Sequence, residues 1–504
     1  MLPKVLLLLF FVASVRSATE CLHRDFGYTG TVCVCNAEHC DTIDPITEVP
    51  SNQYISYTSN LEGLRFQREV GEFSSTENSK ADVIDRSKRY QEIVGFGGAF
   101  TDATGINLDI LDEQTREHLI RSYFSDEGIE YSLCRVPIGG TDFSTRSYSY
   151  LDTRNPDLEL ANFALQDEDY NYKIPYILQA LELTENKLQF FASAWTAPAW
   201  MKTNEAPDGD GELKREYWQL WVDYFIKFFD SYKAEGIEFW GLTTGNEPSL
   251  AFFTWTGINS IGWLPWTQNK WIARNLGPTI RNSEYSDLKL MTHDDQRILL
   301  PLMFSLLADE AAASYLDGIA VHWYWNDFVP ASWQTNIHEL YPEKFFINTE
   351  ACKGDRPWDS AVRLGSWDRG EQYARDIIEN LQHWSVGWVD WNMALNTTGG
   401  PSYISNEVDA PIIVNPDTYE FYKQPMFYAI GHYSKFITKG SVRIGLPFKQ
   451  NGVSIVAFDR PDEATVIVAI NTGESETEIH IQDPDKGLIS KVITAKSFNT
   501  IIYW

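Results

Sequence analysis

Eight short runs of apolar, β-branched and aromatic residues recur through the middle of the chain, at 92–100, 131–138, 188–195, 239–244, 288–293, 318–324, 344–349 and 386–393. A strand that is apolar on both faces has to be covered on both, which is the condition of parallel sheets flanked by crossover helices. Helix-period stretches lie between most of these runs. Trp218, Trp221, Val222, Phe225, Phe228, Phe229 and Tyr232 share one face and stop before Gly236, a residue suited to a helix C-terminus. Leu119, Ile120 and Tyr123, then Tyr373, Ile377, Ile378 and Leu381, repeat the pattern. Eight such units over about 300 residues predict an α/β fold, a (β/α)8 TIM barrel, with an open doubly wound sheet as the competing arrangement.

The last sixty or so residues read differently. Runs at 452–458, 464–470, 476–481 and 492–503 alternate apolar and polar positions between polar turns, which predicts an attached β-sandwich domain joined by strands from 53–73. An Asn-, Pro- and Gly-rich insertion, 396–418, follows the eighth run. The expected division is a signal peptide at 1–17, a small disulfide-bonded N-terminal β domain from 18–45 plus 396–425, the sandwich from 46–90 plus 440–504, and the barrel from 91–395 plus 426–439.

The first residues set the compartment. Lys4, an apolar stretch over 5–12, and the small residues Val15 and Ser17 before a cleavage point form a secretory leader. The apolar stretch is about half the ~20 residues a membrane-spanning helix needs. Cys21, Cys33, Cys35 and Cys40 crowd just behind it, a disulfide cluster in an oxidising compartment, with three pairings open. Zinc is disfavoured there, since His39 and the unevenly spaced cysteines make a poor ligand set. Cys134 and Cys352 lie in apolar runs and read as buried free thiols. Asn396-Thr397-Thr398 is the sole glycosylation sequon. With 41 Lys+Arg against 70 Asp+Glu the formal charge is −29, which would repel nucleic acid.

In a barrel, chemistry gathers at the C-terminal ends of the strands. Glu247 stands there after the fourth run, in Gly245-Asn246-Glu247-Pro248, and Glu350 ends the seventh. Strands four and seven face each other across the ring, so both glutamates reach one cleft. Two carboxyl groups flanking a bond are what glycoside hydrolysis uses, one as proton donor and one as nucleophile or base. A lone acid at a loop start is ordinarily a surface or ion-paired residue; aromatic surroundings argue otherwise here. Trp195, Trp200, Tyr324 and Trp391 all follow or end strand runs, as a sugar-stacking wall would require, and Asp142 after the second run suits sugar hydroxyls. Arg135 on the second strand is placed either to hold Glu350 ionised or to form a structural ion pair elsewhere. The nine histidines form no metal-ligand motif, Gly95-Phe96-Gly97-Gly98 lacks dinucleotide and P-loop spacing, and no Gly-x-Ser-x-Gly elbow occurs, so neither metal nor cofactor is expected.

The chain resembles the glucosylceramidases of glycoside hydrolase family 30 over nearly its whole length. The resemblance is carried by Phe26-Gly27-Tyr28, Cys33-Val34-Cys35-Asn36, Gly95-Phe96-Gly97-Gly98-Ala99, Asp142-Phe143-Ser144, Trp200-Met201-Lys202-Thr203-Asn204, Asp294-Asp295-Gln296-Arg297, Val321-His322-Trp323-Tyr324, Leu364-Gly365-Ser366-Trp367-Asp368 and Tyr422-Lys423-Gln424-Pro425-Met426. It implies a retaining β-glucosidase of sphingolipid catabolism that splits glucosylceramide, with Glu350 as nucleophile and Glu247 as acid/base. It also implies that Asp142, Trp195, Asn246, Trp391 and Asn406 line the glucose subsite, with Phe143, Gln296 and Tyr324 near the mouth. It pairs Cys21 with Cys33 and Cys35 with Cys40. An anionic membrane surface and a saposin-like activator are its implied partners, and the lysosome lumen, peripheral to membrane, or the extracellular fluid its implied destination. Where the family has Tyr and Phe after the acid/base, this chain has Thr256 and Ile258, with Phe253 and Trp255 nearby, so its aglycone contacts differ. Competing readings are an enzyme for a steryl glucoside, β-glucan or xylan, and a carbohydrate or lipid binder without catalysis; the intact glutamate pair speaks against the binder.

Overall fold

The computed structural model describes residues 18–76, 78–253, 256–447 and 452–504, the side chains of 303–306 excepted; the expected leader and Trp255 lie outside these. Eight parallel strands close a barrel in sequence order: β1 (Gly95–Ala99), β2 (Leu133–Ile138), β3 (Gln189–Ala194), β4 (Gly241–Thr243), β5 (Lys289–Gln296), β6 (Gly318–His322), β7 (Phe345–Glu350) and β8 (Ser385–Asn392). All eight expected runs are strands, and the open sheet is ruled out by closure. The helix read from its aromatic face is Trp218–Ala234, and that face is buried.

Two expectations shift. β5 does not stop at residue 293 but runs to Gln296 through a bulge between His293 and Asp295. β6 ends at His322, which leaves Trp323 and Tyr324 in the loop beyond it.

A seven-stranded sheet lies beside the barrel in the order Gln67–Glu72, Gln53–Asn60, Ser497–Tyr503, Thr465–Asn471, Val453–Asp459, Val442–Gly445, Asp85–Glu92. It packs through Tyr54, Ile455, Ile467 and Ile501 onto Ile479, Ile481 and Ile489 of a smaller sheet made by Gly487–Ile493, Thr477–Asp483 and Asp82–Val83. This is the predicted sandwich, with one change. The run expected at 492–503 is the end of one strand and the whole of another, divided by a turn in which Lys496 takes φ 45°.

A third, five-stranded sheet joins His23–Arg24 and Val32–Cys35 to Glu420–Lys423, Ile412–Asn415 and Ala394–Asn396. The disulfides Cys21–Cys33 and Cys35–Cys40 staple its N-terminal half, while Cys134 and Cys352 are free and buried. The insertion after β8 thus supplies the partner strands that the N-terminal segment is too short to provide for itself.

Barrel closure depends on close approaches to β1, the tightest of them from β2. A Cβ on Gly97 would stand 1.8 Å from the Leu133 carbonyl oxygen, so β1 and β2 meet only because residue 97 has no side chain. Gly97→Ala is expected to cost about 3 kcal/mol or more and to depress the thermal midpoint sharply or abolish folding. Gly236→Ala, where φ is 84° but nothing lies within 4 Å, is expected to cost only about 1 kcal/mol in the same thermal melt.

Candidate active site

Both glutamates emerge at the C-terminal mouth, by different means. Glu350 is the last residue of β7. Glu247 follows β4 after a sharp turn: Gly245 has φ 131° and Glu247 itself φ 40°, a conformation that a side chain disfavours and that the Glu247 N–H bond to the Asp294 carbonyl (2.9 Å) holds in place. The bulge in β5 does the same for the neighbouring acid. His293 and Asp294 take φ 78° and 49°, which re-aims the Asp294 carboxylate into the barrel.

That carboxylate is fully buried and five donors converge on it. Arg135 (2.8 Å), Ser193 (2.7 Å) and Thr243 (2.7 Å) donate to Oδ2, and Thr349 (2.7 Å) and His322 Nε2 (3.0 Å) to Oδ1. Arg135 reaches outward from there to Glu350 Oε2 and to Asn246 Oδ1 (2.7 Å). His322 offers its other nitrogen to Glu247 Oε1 at 2.8 Å, with Glu350 Oε1 3.8 Å away. Two cations standing on one buried anion therefore hold the two glutamates. Gln296 Nε2 donates to Glu247 Oε1 at 2.6 Å, and the Tyr324 hydroxyl donates to Glu350 Oε1 at 2.8 Å while lying 3.4 Å from Cys352 Sγ.

Charge follows from these contacts. Burial opposes ionisation of Asp294, but Arg135 and His322 outweigh it and hold the carboxyl far below the ordinary range. Burial likewise disfavours the His322 cation, yet Glu350, Asp294 and Glu247 overcome it and push the imidazole up to about 10. Burial raises the Glu350 carboxyl above its ordinary range, the His322 and Arg135 cations pull it back, and Glu247 adds to the rise.

Beside the glutamates stands an aromatic wall. Trp195 and Trp391 stack at 4.9 Å between centroids, Phe143 meets Trp391 edge-on at 6.0 Å, and the Arg135 guanidinium lies 4.6 Å from the Trp195 ring centre. Asn406 Nδ2 donates to Asp142 Oδ2 at 2.8 Å, which brings the insertion to the loop after β2. Burial pushes Asp142 up to about 7, opposed by the Asn406 bond and reinforced by the charges of Glu350 and Glu247. Trp200 is not part of this wall. Its ring packs edge-on against Tyr217 and its indole N–H donates to the Leu151 carbonyl, in the main core. Asn396 ends its strand, with Oδ1 accepting from Thr398 and from the Gly400 N–H in a tight turn.

Sequence reasoning missed Asp294 and His322 as site residues, as well as Ser193, Thr243 and Thr349 beneath them. The available signal was polarity: Asp294 and His322 are ionisable groups at the ends of two otherwise apolar strand runs. Glu247, His322 and Glu350 also offer ligand atoms within 4.8 Å of one another, the spacing of a metal site. Those oxygens are already taken by Gln296, Tyr324 and Arg135, and a guanidinium and an imidazolium supply the positive charge a metal would bring.

This arrangement has relatives. Residues 93–437 match the glycosyl hydrolase family 30 TIM-barrel domain and 440–501 the family 30 beta sandwich domain. The chain belongs to glycoside hydrolase family 30. Within reach of that family, it is 43% identical over 98% of its length to the lysosomal acid glucosylceramidase of Mus musculus, covering 97% of that protein. It is 41% identical over 88% of its length to putative glucosylceramidase 4 of Caenorhabditis elegans, covering 87% of that protein. Among solved structures, SrfJ from Salmonella typhimurium superposes with a TM-score of 0.83 at 26% identity, over 90% of this chain and 99% of that one. As a family 30 member the chain is a glycoside hydrolase.

The same charges fix how this hydrolase responds to pH. Asp142 is raised in the fold, so its neutral form favours folding at acid pH, and that contribution is lost as pH climbs toward about 7. His322 is raised too, so its contribution is whole below about 6.5, its unfolded value, and is lost as pH rises toward about 10. The thermal midpoint is expected to fall between about pH 4.5 and 7, and Asp142→Asn to flatten that slope without altering the further loss at alkaline pH, as measured by calorimetry across pH.

Proposed function

We propose that the chain is a retaining β-glucosidase that hydrolyses glucosylceramide to glucose and ceramide in lysosomal sphingolipid catabolism, with Glu350 as nucleophile and Glu247 as acid/base. The observation that carries the stereochemistry is the separation of the pair. An oxygen of Glu247 lies within 4.8 Å of one of Glu350, near the ~5 to 5.5 Å of double displacement and well short of the ~6.5 Å or more that a water-activating inverting pair needs. The substrate reading rests on identity along almost the full chain to a mouse glucosylceramidase.

In this reading glucose lies against Trp195 and Trp391, with Asp142, Asn406 and Asn246 at its hydroxyls and Phe143, Gln296 and Tyr324 toward the mouth. Glu350, ionised and steadied by Arg135 and the Tyr324 hydroxyl, attacks the anomeric carbon. Glu247 gives its proton to the glycosidic oxygen, and ceramide leaves as the alcohol. Glu247, now a base, takes a proton from water, which attacks the glucosyl ester, and Glu350 departs as carboxylate. The charge on His322 lowers the cost of the Glu247 anion between the two steps.

The aglycone side of the mouth supports a lipid substrate. Phe252, Trp266, Ile298, Trp325, Phe328 and Trp358 are exposed in the segments that follow β4 to β7, Trp358 to 81%. A one-sided apolar rim of this kind suits an interface with lipid. No helix of the described residues is long and apolar enough to cross a membrane, so contact is peripheral in this reading. A net charge of −29 opposes an anionic bilayer, and a saposin-like activator is the partner that would relieve this. An N-linked glycan on Asn396 completes the proposal for a luminal protein.

The test is glucose release from glucosylceramide in anionic vesicles at about pH 5, beside an aryl β-glucoside. Glu350→Gln is expected to lose both activities by about 10⁴-fold or more, and Glu247→Gln to lose far more on glucosylceramide than on an aryl glucoside whose leaving group needs little protonation. Hydrolysis of the aryl glucoside alone would move the natural substrate to another β-glucoside.

A further inference from the structure

The insertion that carries Asn406 has no regular structure between its strands at Ala394–Asn396 and Ile412–Asn415, yet Asn406 must meet Asp142 across the cleft. Asp409 of this stretch is held by the Arg363 N–H and by Arg369 beyond β7, and two further side chains reach the loops after β2 and β4. Asn406 is one. Tyr403 is the other: its hydroxyl donates to Asn259 Oδ1 at 2.7 Å and approaches the Gly257 carbonyl at 3.2 Å.

Asn259 is 1% exposed and joins more than the insertion. The Ser147 hydroxyl donates to the same Oδ1 at 2.8 Å, and Asn259 Nδ2 donates to the Gly140 carbonyl at 3.2 Å. Its backbone bridges Asp208. This one residue of the β4 loop therefore ties in the β2 loop and the insertion through its amide and the β3 loop through its backbone. Two hydroxyl donors on one atom and a carbonyl opposite the other also fix which way the amide faces. The ground under it is firm. Ser260, next in sequence, receives the Lys202 ammonium on its carbonyl (2.7 Å) and the Thr196 hydroxyl (3.1 Å), and its N–H donates to the Pro207 carbonyl (3.1 Å). Lys202 is wholly buried, so this clamp is shielded from water.

Gly140 and Ser147 flank Asp142, and Tyr403 lies three residues before Asn406. Among the segments that Asn259 ties are the two that the Asp142–Asn406 bond spans. We infer that Asn259, through Tyr403 and Ser147, is the positioning residue that holds Asn406 against Asp142 and thereby sets affinity for the glucose ring. The inference rests on the reading above that Asp142 and Asn406 contact glucose. Removing the Asn259 side chain takes the shared acceptor from two half-buried hydroxyls, leaving Tyr403 only the more distant Gly257 carbonyl, and loosens the hold on the insertion, while the glutamate pair, held on Asp294, stays in place. The effect falls on ground-state binding of glucose before it falls on turnover.

The experiment measures competitive inhibition by a glucose-configured imino sugar, which has no aglycone, together with KM and kcat for an aryl β-glucoside. Asn259→Ala is expected to raise the inhibition constant and KM about tenfold, and Tyr403→Phe about three- to fivefold, with kcat within about threefold of the parent enzyme. On an Asn406→Ala background, Asn259→Ala is expected to add less than about twofold, because the contact it positions is already gone. Melting curves check folding, and Tyr403→Phe, which removes one oxygen atom, carries the test if Asn259→Ala does not fold. Full multiplicative effects, or unchanged inhibition in both variants while Asn406→Ala weakens it, would overturn the inference. If Asn406→Ala and Asp142→Asn themselves leave inhibition unchanged, the assignment of the glucose subsite falls, and the inference with it.

Discussion

The site depends on one buried anion. Asp294 sits inside the barrel with no water-exposed surface, which would be prohibitive for a charge alone. Five donors, two of them cations, make it tolerable, and the arrangement runs both ways: Asp294 keeps Arg135 and His322 in the low-dielectric interior, and they in turn fix the two glutamates. Replacing any one member leaves another charge uncompensated. The glutamates are thus positioned from below by strand residues of β2, β3, β4, β5, β6 and β7, which are the stiffest parts of the fold.

Positioning from below leaves the top free to differ. The segments after β4 to β7 carry the exposed apolar residues, while the Glu247 backbone is held from below by the Asp294 carbonyl. The chemistry and the aglycone surface are built from separable parts of the same strand ends. The insertion after β8 bridges them, completing the N-terminal sheet at one end and meeting Asp142 at the other.

The barrel was legible in the sequence because its strands are buried on both faces and so appear as apolar runs, and Glu350 and Glu247 stood out as acids at the end of one such run and just past another. Asp294 was not, for a physical reason. A strand read by alternation assigns each side chain a face, and the bulge with positive φ at His293 and Asp294 overrides that assignment. Trp200 misled in the opposite sense: a tryptophan after a strand end resembles a stacking platform, but its indole found a carbonyl partner in the core. The division at Lys496 escaped notice because Thr494 and Ala495 interrupt the apolar pattern only weakly.

The claim on which this account turns is that His322 is a cation held by Asp294 and the glutamate pair. Nitrogen-15 NMR of histidine-labelled enzyme, with His322 assigned by its His322→Gln variant, measures that directly. The account predicts an imidazolium that keeps both protons from about pH 5 to 8, with neutralisation only toward about 10. A His322 that titrates below about 7, near the ordinary histidine value, would contradict it.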